Sequence, residues 1–180
     1  AVGVNSFLKS TAGAAMTFEQ YEVAMTHWLG GDEKKSAGLI KWMGDFADST
    51  PFSSPDPFPA LVEAVNFTSA DLDKSKRMLK IASDMAALTP GRTVEEAMLA
   101  LSSADMGNFG LLEGFGFKIL QEDFKKDFGG NIEELFGAVE EKFKDGAEKL
   151  SSTTFGKLMT LMGYRGSILR EAGKGILKSF

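Results

Sequence analysis

The sequence predicts an all-α fold, a bundle of short helices with an extended C-terminal helical arm. Three observations predict it: apolar residues recur at steps of three and four, capping residues and glycine or proline stops bound these stretches, and no stretch alternates apolar with polar residues as a strand does. We expect a lead-in at residues 1–16 that is poorly ordered or continues from a longer chain, an N-terminal bundle at 17–120 and the arm at 121–180.

The first helix has a clear start and a clear end. A capping box at Thr17 and Gln20 satisfies backbone donors that a helix start leaves unpaired, so a helix should run from about residue 18 to 28. Gly30–Gly31 ends it, because glycine takes the left-handed cap conformation without strain.

The second helix begins at an Asp32 cap and reaches about residue 49, because Pro51 pushes the residue before it out of helical geometry. Three prolines between residues 55 and 59 predict a stiff, extended connection, and a short helix should follow over about 59–65. The buried face of the second helix should hold Leu39, Met43, Phe46 and Ala47.

Two further capped helices are predicted in the middle of the chain. Thr68 or Ser69 should open the first, which the Pro90–Gly91 turn ends at about residue 88, and the capping box Thr93–Glu96 should open the second. Their expected buried residues are Leu72, Leu79, Ala82, Met85 and Ala86 in the first, and Val94, Ala97, Met98 and Leu101 in the second.

The most regular periodicity lies between residues 131 and 150, after a brief helical turn that follows Gly107 and closes at Gly116. Gly146 falls inside the same period, so one continuous helix is expected. A narrow apolar seam of this kind is also what one helix offers to a partner helix. The members of the seam are Ile132, Leu135, Phe136, Val139, Phe143, Ala147 and Leu150.

Charge is unevenly distributed along the chain. Residues 157–180 hold five Lys or Arg against one Glu and have a net charge of +4, whereas residues 1–156 hold 15 basic and 24 acidic residues and have a net charge of -9. Several glycines should make this last segment a marginal helix without a neighbour. A basic amphipathic tail suits an acidic partner or lipid headgroups, although most such tails are solvated helix ends.

Composition narrows the classes of function. The chain of 180 residues has no Cys and one His, so thiolate chemistry is excluded and a zinc site is disfavoured. A net charge of -5 disfavours binding to a phosphate backbone. No apolar run approaches the ~20 residues needed to span a bilayer.

Two charged patterns have simpler structural interpretations. His27 beside Trp28 lacks a second imidazole and is expected to be a partly buried residue at a helix end. Asp45 and Asp48 lie one turn apart, as solvated pairs on helix surfaces often do.

Two loop patterns are likewise incomplete. The segment that begins with Asp71 starts like a calcium loop, but Lys76 occupies the position that requires Gly and Ala82 the position that requires Glu. Gly114–Gly116 lacks the third glycine of a phosphate cradle and is better explained by flexibility or close packing. We therefore predict no catalytic, cofactor-binding or metal-binding residues.

Phenylalanine is unusually abundant. Fifteen Phe residues are more than a small helical core requires, so some could face a partner. The alternative is that they bridge loosely packed helices in a core poor in Ile and Val. Both interpretations stay open at the level of sequence.

Four short segments, taken in order, resemble parts of the tail tape-measure proteins of long-tailed bacteriophages and prophages. They are Phe46, Ala47, Thr50, Pro51 and Phe52; then Asp84, Ala86 and Ala87; then Ala100, Leu101, Ala104, Gly107, Asn108, Phe109, Leu112, Phe115, Gly116 and Lys118; then Glu141, Lys142, Phe143, Gly146 to Ser152, and Phe155. The resemblance covers about residues 17–157. Members of the family are usually far longer and contain coiled-coil regions that this chain lacks, so the resemblance implies a domain or fragment.

The resemblance implies a non-enzymatic virion protein without cofactors. Such a protein is located in the phage tail, in the tube lumen or at the tip, and in the host cytoplasm during assembly. It sets tail length during assembly and is released when DNA is ejected. Its implied partners are further copies in a trimer or hexamer, tail-tube, distal-tail and tail-tip proteins, and assembly chaperones, with no specific nucleic acid and with membrane contact on ejection left open.

The rival interpretation is a peripheral membrane-active protein. In it, the basic segment 157–180 would insert the face that carries Leu158, Met159, Ile168 and Leu169 into anionic lipid. A small helical enzyme is a third reading, but the sequence gives no reason to expect a pocket of converging acids.

Overall fold

Helices account for most of residues 18–52 and 57–161, which are the residues that the computed structural model describes, and no strand occurs among them. The prediction of an all-α bundle of short helices is confirmed. The predicted lead-in at 1–16 and the end of the arm, 162–180, lie outside the described residues. The helices are α1 (18–28), α2 (Glu33–Ser49), α3 (Pro57–Phe67), α4 (Leu72–Ala87), α5 (Val94–Asp105), α6 (Gly110–Glu113), α7 (Gln121–Asp127), α8 (Ile132–Phe143), α9 (Gly146–Ser152) and α10 (154–161).

Helix α4 lies at the centre of the bundle and packs against α3, α5, α8 and α9. Its predicted apolar stripe is confirmed, because all members are buried except Leu72, which is partly buried. The predicted inward face of α5 is confirmed as well. Its buried members are Val94, Ala97, Met98 and Leu101.

Several predicted helix boundaries are confirmed by their hydrogen bonds. The Asp32 carboxylate accepts a hydrogen bond from the Lys35 N–H at 2.9 Å and caps α2. The Thr93 hydroxyl accepts from the Glu96 N–H at 3.1 Å, and the Glu96 carboxylate accepts from the Thr93 N–H at 3.0 Å. Gly30 and Gly31 both have positive φ after α1, as a glycine stop requires.

The predicted start of α4 at Thr68 or Ser69 was wrong, because Asp71 is the cap. The Asp71 carboxylate accepts hydrogen bonds from two backbone N–H groups of the first turn of α4. The Thr68 hydroxyl instead donates to the Ala64 carbonyl at 2.7 Å, at the end of α3. Ser69 and Ala70 have positive φ, so the chain turns before a new helix can begin.

The prediction of one continuous helix over 131–150 was also wrong. Helix α8 ends at Phe143, Asp145 is left-handed at φ 61°, and α9 begins at Gly146. A Cβ atom at Gly146 would lie 2.9 Å from the Leu88 Cγ atom and closer still to the Asp84 carbonyl oxygen. Close contact with α4 therefore redirects the chain at this point, and no local periodicity records that contact.

The apolar seam of α8 is buried inside this chain, where α8 packs against α4 and α5. Its buried residues are Leu135, Phe136, Val139 and Phe143. The predicted division at about residue 120 stays a prediction. Helices α8 and α9 follow residue 120 and pack on α4, which precedes it. Among the described residues, no helix is both long enough and apolar enough to cross a membrane.

An ion-pair network joins the exposed edges of α4 and α8. Arg77 on α4 donates from its Nε atom to Glu140 at 2.9 Å and from its Nη1 atom to Glu133 at 3.0 Å. Lys74 pairs with the other oxygen of Glu133 at 2.5 Å. Hydrogen bonding from Lys74 lowers the pKa of Glu133 from its ordinary value, and burial partly opposes this effect.

Candidate interaction surfaces

His27 is exposed at the end of α1, where its ring stacks edge-to-face on Trp28 with ring centroids 5.3 Å apart. The expected partial burial is therefore wrong, because the last turn of α1 directs this side chain into solvent. Within residues 18–52 and 57–161, no group of three or more His, Asp or Glu residues is placed to hold a metal ion.

The paired acids Asp45 and Asp48 lie at the C-terminal half of α2. Asp45 forms an ion pair with Lys41 at 2.8 Å, and both side chains are largely exposed. Asp48 is half-buried on the same helix. The arrangement of Asp45 is that of an ordinary pair one turn apart on a helix surface.

The two incomplete loop motifs have structural roles. Asp71 is the cap of α4, which accounts for the acidic start of the calcium-like segment. A Cβ atom at Gly114 would lie 2.9 Å from the Arg92 guanidinium, and Gly116 has a φ of 74°. The Gly116 carbonyl accepts a hydrogen bond from the Lys142 ammonium group. Close packing and a turn therefore explain the glycines without a phosphate.

Most of the described phenylalanines contribute to the core. Phe18, Phe58, Phe109, Phe115, Phe136 and Phe143 are buried, and six more are partly buried against the same cluster. Phe155 on α10 is the exception in the described part of the chain, with 61% of its surface exposed. Phenylalanine thus serves mainly to bridge short helices, and one of these side chains lies on an open surface.

Helix α10 presents an apolar face to solvent. Phe155, Leu158 and Leu161 recur every three residues, and each is more than half exposed. We call these three residues the α10 face. The opposite side of α10 lies on the protein through Gly156, where a Cβ atom would collide with the Leu150 carbonyl, and through Thr160, whose hydroxyl donates to the Thr50 carbonyl at 3.2 Å. The sequence analysis placed Leu158 on a face available for contact, but it did not predict that Phe155 is exposed.

A second open surface is the groove of about 440 Å³ between α1 and α2. We call it the α1–α2 groove and define it by Glu22, Val23, Glu33, Ala37 and Ile40. The Thr26 hydroxyl donates to the Ser36 hydroxyl at 2.9 Å across it and ties the two helices together. Val23 is 71% exposed, whereas Ile40 is buried at the floor. Sequence reasoning missed this groove, because it depends on how two helices are placed side by side.

A smaller hollow of about 280 Å³ lies beside the α6 turn. The Gln121 amide donates to the Gly107 carbonyl at 2.6 Å along its edge. Its charged residues, Glu113 and Lys118, face each other at 3.9 Å and are both largely exposed. The hollow therefore has no buried titratable side chain to perform acid or base chemistry.

The deepest acidic group is Asp84, which is only 5% exposed. Its carboxylate accepts a hydrogen bond from the Ala147 N–H at 2.8 Å. Burial raises the pKa of Asp84, while the Ala147 hydrogen bond and the charge of Lys80 lower it, and Asp145 and Glu140 add to the rise. The carboxylate joins α4 to the first turn of α9, so its role in the fold is structural.

No protein-family description, curated protein or solved structure matches this chain.

Proposed function

We propose that this chain is a structural virion protein, part of a phage tail tape-measure protein that sets tail length during assembly and leaves the tail on DNA ejection. It acts without catalysis, as a trimer or hexamer in contact with tail-tube, distal-tail and tail-tip proteins and with assembly chaperones. The four resembling segments given above are its basis in sequence.

The observation that carries this proposal is that three of the four resembling segments touch one another. Asp84 in the second segment accepts the hydrogen bond from Ala147 in the fourth. Lys142 in the fourth segment donates to Gly116 in the third. The mutual packing of these three segments supports a resemblance to one folded unit.

Several charged side chains stabilise the fold, and this supports a protein that binds partners rather than an enzyme. Asp32, Asp71 and Glu96 take part in helix caps, and Arg77 and Glu133 join two helices. These groups are committed to the fold, whereas large apolar side chains remain exposed on α10 and on α5. Exposed apolar surface is typical of contact with other proteins.

The test is made on particles from the phage or prophage that encodes the chain. We expect purified tails to contain the polypeptide that carries these residues. Deletions in its helical portions outside residues 17–157 should shorten the tail by about 1.5 Å for each residue removed, measured by electron microscopy. A matched deletion in another tail protein serves as the control. Absence of the polypeptide from tails, or an unchanged tail length, would contradict the proposal.

A second candidate function is peripheral binding to an anionic membrane, which the α10 face favours. This face precedes the basic segment 162–180, which holds four Lys or Arg against one Glu. Exposed apolar residues beside basic residues suit the headgroup region of a bilayer. Sedimentation with vesicles of anionic phospholipid distinguishes this membrane-binding function from the virion function proposed above.

In that assay, Phe155→Ser/Leu158→Ser should abolish sedimentation if membrane binding is the function. Leu99→Ser/Met106→Ser is the matched control, because both side chains are at least half exposed but lie elsewhere, Leu99 on α5 and Met106 at its C-terminal cap. Equal sedimentation of both double variants, or no binding by the unaltered chain, would count against a membrane role.

A further inference from the structure

Helices α9 and α10 bury very little apolar surface. Within residues 144–161 the buried residues are Gly146, Ala147 and Gly156, and no large apolar side chain in that range is buried. Helix α8, directly before them, buries four large apolar side chains. Segments with few buried apolar contacts open at a lower free energy than the rest of a fold. Residues 146–161 are therefore the part of the described chain that this measure marks as easiest to release.

Two side-chain hydrogen bonds among the described residues tie α9 and α10 to the earlier helices. The Asp84 carboxylate of α4 accepts from the Ala147 N–H at 2.8 Å, in the first turn of α9. The Thr160 hydroxyl of α10 donates to the Thr50 carbonyl at 3.2 Å, directly after α2. Asp145, the residue before α9, makes no cap hydrogen bond with its own side chain. The first turn of α9 thus depends on a carboxylate from another helix.

The chain has a hinge between α8 and α9. Lys144 is extended at ψ 129°, and Asp145 is left-handed at φ 61°, a conformation that few residues other than glycine adopt. Helix α9 has seven residues and α10 has eight. Helices this short are marginal in water on their own. Both helices should therefore unfold when they leave the bundle.

We propose that residues 146–161, which we call the strap, open at Lys144 and Asp145 as one unit while the rest of the bundle stays folded. In the closed form, Asp84 caps α9 and Thr50 holds α10. In the open form the strap is an extended chain, which at about 3.4 Å per residue reaches about 55 Å from the hinge. Opening uncovers Asp84 and the side of Leu88 that Gly146 contacts. The strap depends only on contacts within the chain, whether or not the chain serves in a phage tail.

Hydrogen exchange of the full chain, followed amide by amide by nuclear magnetic resonance, tests the strap. The Lys149 N–H bonds to the Asp145 carbonyl at 2.9 Å, and the Lys157 N–H bonds to the Thr153 carbonyl at 3.0 Å. These two amides report on α9 and α10 respectively. After correction for intrinsic rates, both should show the same opening free energy and exchange at least ~10-fold faster than amides in the middle of α4 and α5.

Asp84→Ala tests whether the two helices open together. Loss of the acceptor leaves the Ala147 N–H unpaired and should speed exchange at Lys149 about 5- to 150-fold. The same acceleration is expected at Lys157, although the hydrogen bond of Asp84 is to α9 and not to α10. Asp84→Asn is the matched control, because it keeps an oxygen that can accept, and its effect should be smaller.

Val65→Ala tests whether the strap opens without the bundle. Val65 is fully buried on α3, which packs against α4 and α5. Loss of two buried methyl groups should speed exchange in the middle of α5 by about 10-fold or more. Exchange at Lys149 and Lys157 should not change, because strap opening leaves α3 in place. Glu133→Gln, at an exposed position, gives the same comparison with a smaller change.

Two outcomes would overturn the proposal. Equal acceleration of strap and α5 amides in Val65→Ala and in Glu133→Gln would show that the strap opens only when the whole chain unfolds. Acceleration at Lys149 without acceleration at Lys157 in Asp84→Ala would show that α9 and α10 open separately. Circular dichroism of each variant checks that the helices are retained.

Discussion

At the scale of single residues, Asp84 determines how α9 is attached to α4. Its pKa is raised above the ordinary value of about 3.8, mainly by burial. The folded chain therefore holds this proton more tightly than the unfolded chain. The contribution of Asp84 to the free energy of unfolding is therefore fully present below its ordinary pKa and is lost as pH rises through the raised value.

Substitution of Asp84 should change the pH dependence of stability. Asp84→Asn keeps an oxygen that can accept from the Ala147 N–H but carries no charge, so the loss of stability above about pH 4 should be smaller than in the unaltered chain. Asp84→Ala removes the acceptor and should cost about 1–3 kcal/mol at neutral pH, because a buried N–H loses its partner. Urea unfolding between pH 3 and pH 8 measures both effects. Parallel pH profiles for the Asn variant and the unaltered chain would contradict this account.

Gly146 is the second residue on which the α4–α9 contact depends. Gly146→Ala should destabilise the fold by about 1–3 kcal/mol, because the new methyl group would overlap the Asp84 backbone and the Leu88 side chain. Gly137→Ala on α8 is the matched control, since its Cβ atom would meet no atom within 4 Å. The control should gain up to ~1 kcal/mol from helix propensity. Thermal unfolding of the pair separates packing from propensity, and equal shifts would refute the close approach.

At the scale of elements, the network of Lys74, Arg77 and Glu133 links α4 to α8. The lowered pKa of Glu133 means that its contribution to stability is present above its ordinary pKa of about 4.5 and is lost as pH falls through the lowered value. Glu133→Gln should therefore destabilise the chain at pH 7 and have a smaller effect as pH falls through the lowered pKa. The loss should not exceed ~1 kcal/mol, because 43% of this side chain is exposed and solvent screens the pair.

Chemical denaturation at pH 7 measures the free energy of unfolding of Glu133→Gln and of the unaltered chain. The two values should differ in low salt and agree in about 1 M salt, where screening weakens the ion pairs. Glu134→Gln is the control. Glu134 is next to Glu133 in sequence, but it is exposed and forms no ion pair with any described residue. Equal losses for the two variants would exclude a contribution from the network.

At the scale of the whole molecule, the packing of α8 and α9 against α4 crosses the predicted division at residue 120. We expect one cooperative unfolding transition, because the later helices bury their apolar seam on the earlier ones. Trp28 and Trp42 report on the surroundings of α1 and α2, whereas far-ultraviolet circular dichroism reports on every helix. Coincident midpoints from the two probes are expected, and separate transitions would instead support two domains.

The net charge of -5 also gives a prediction for the whole chain. An acidic protein suits a channel that DNA must pass without adhering, since like charges repel. We expect no retention of duplex DNA at physiological salt in a mobility assay, with a basic DNA-binding protein as the positive control. Strong retention would argue against the proposed place in a tail tube.

How much could be predicted from the sequence differs from helix to helix. The starts of α2 and α5 were predicted because their caps lie within three residues of the groups that they satisfy, and the end of α2 was predicted because Pro51 follows it closely. The start of α4 was misplaced because the Thr68 hydroxyl donates to the Ala64 carbonyl of α3 and does not cap α4, whereas Asp71, which the sequence analysis considered only as the start of a calcium loop, is the cap. The short helix α7 was missed as a separate element, since its few residues show too little periodicity.

The sequence by itself determined the helical class, most caps and most of the buried stripes, because these depend on residues three or four positions apart. Only the tertiary structure decided where the periodic segment after residue 131 breaks, which apolar face stays exposed on α10, and where a groove forms between α1 and α2. These features depend on pairs such as Asp84 and Ala147, which are 63 residues apart in sequence. The physical reason is that such groups meet only through the packing of whole helices, and no local pattern records which helix becomes the neighbour.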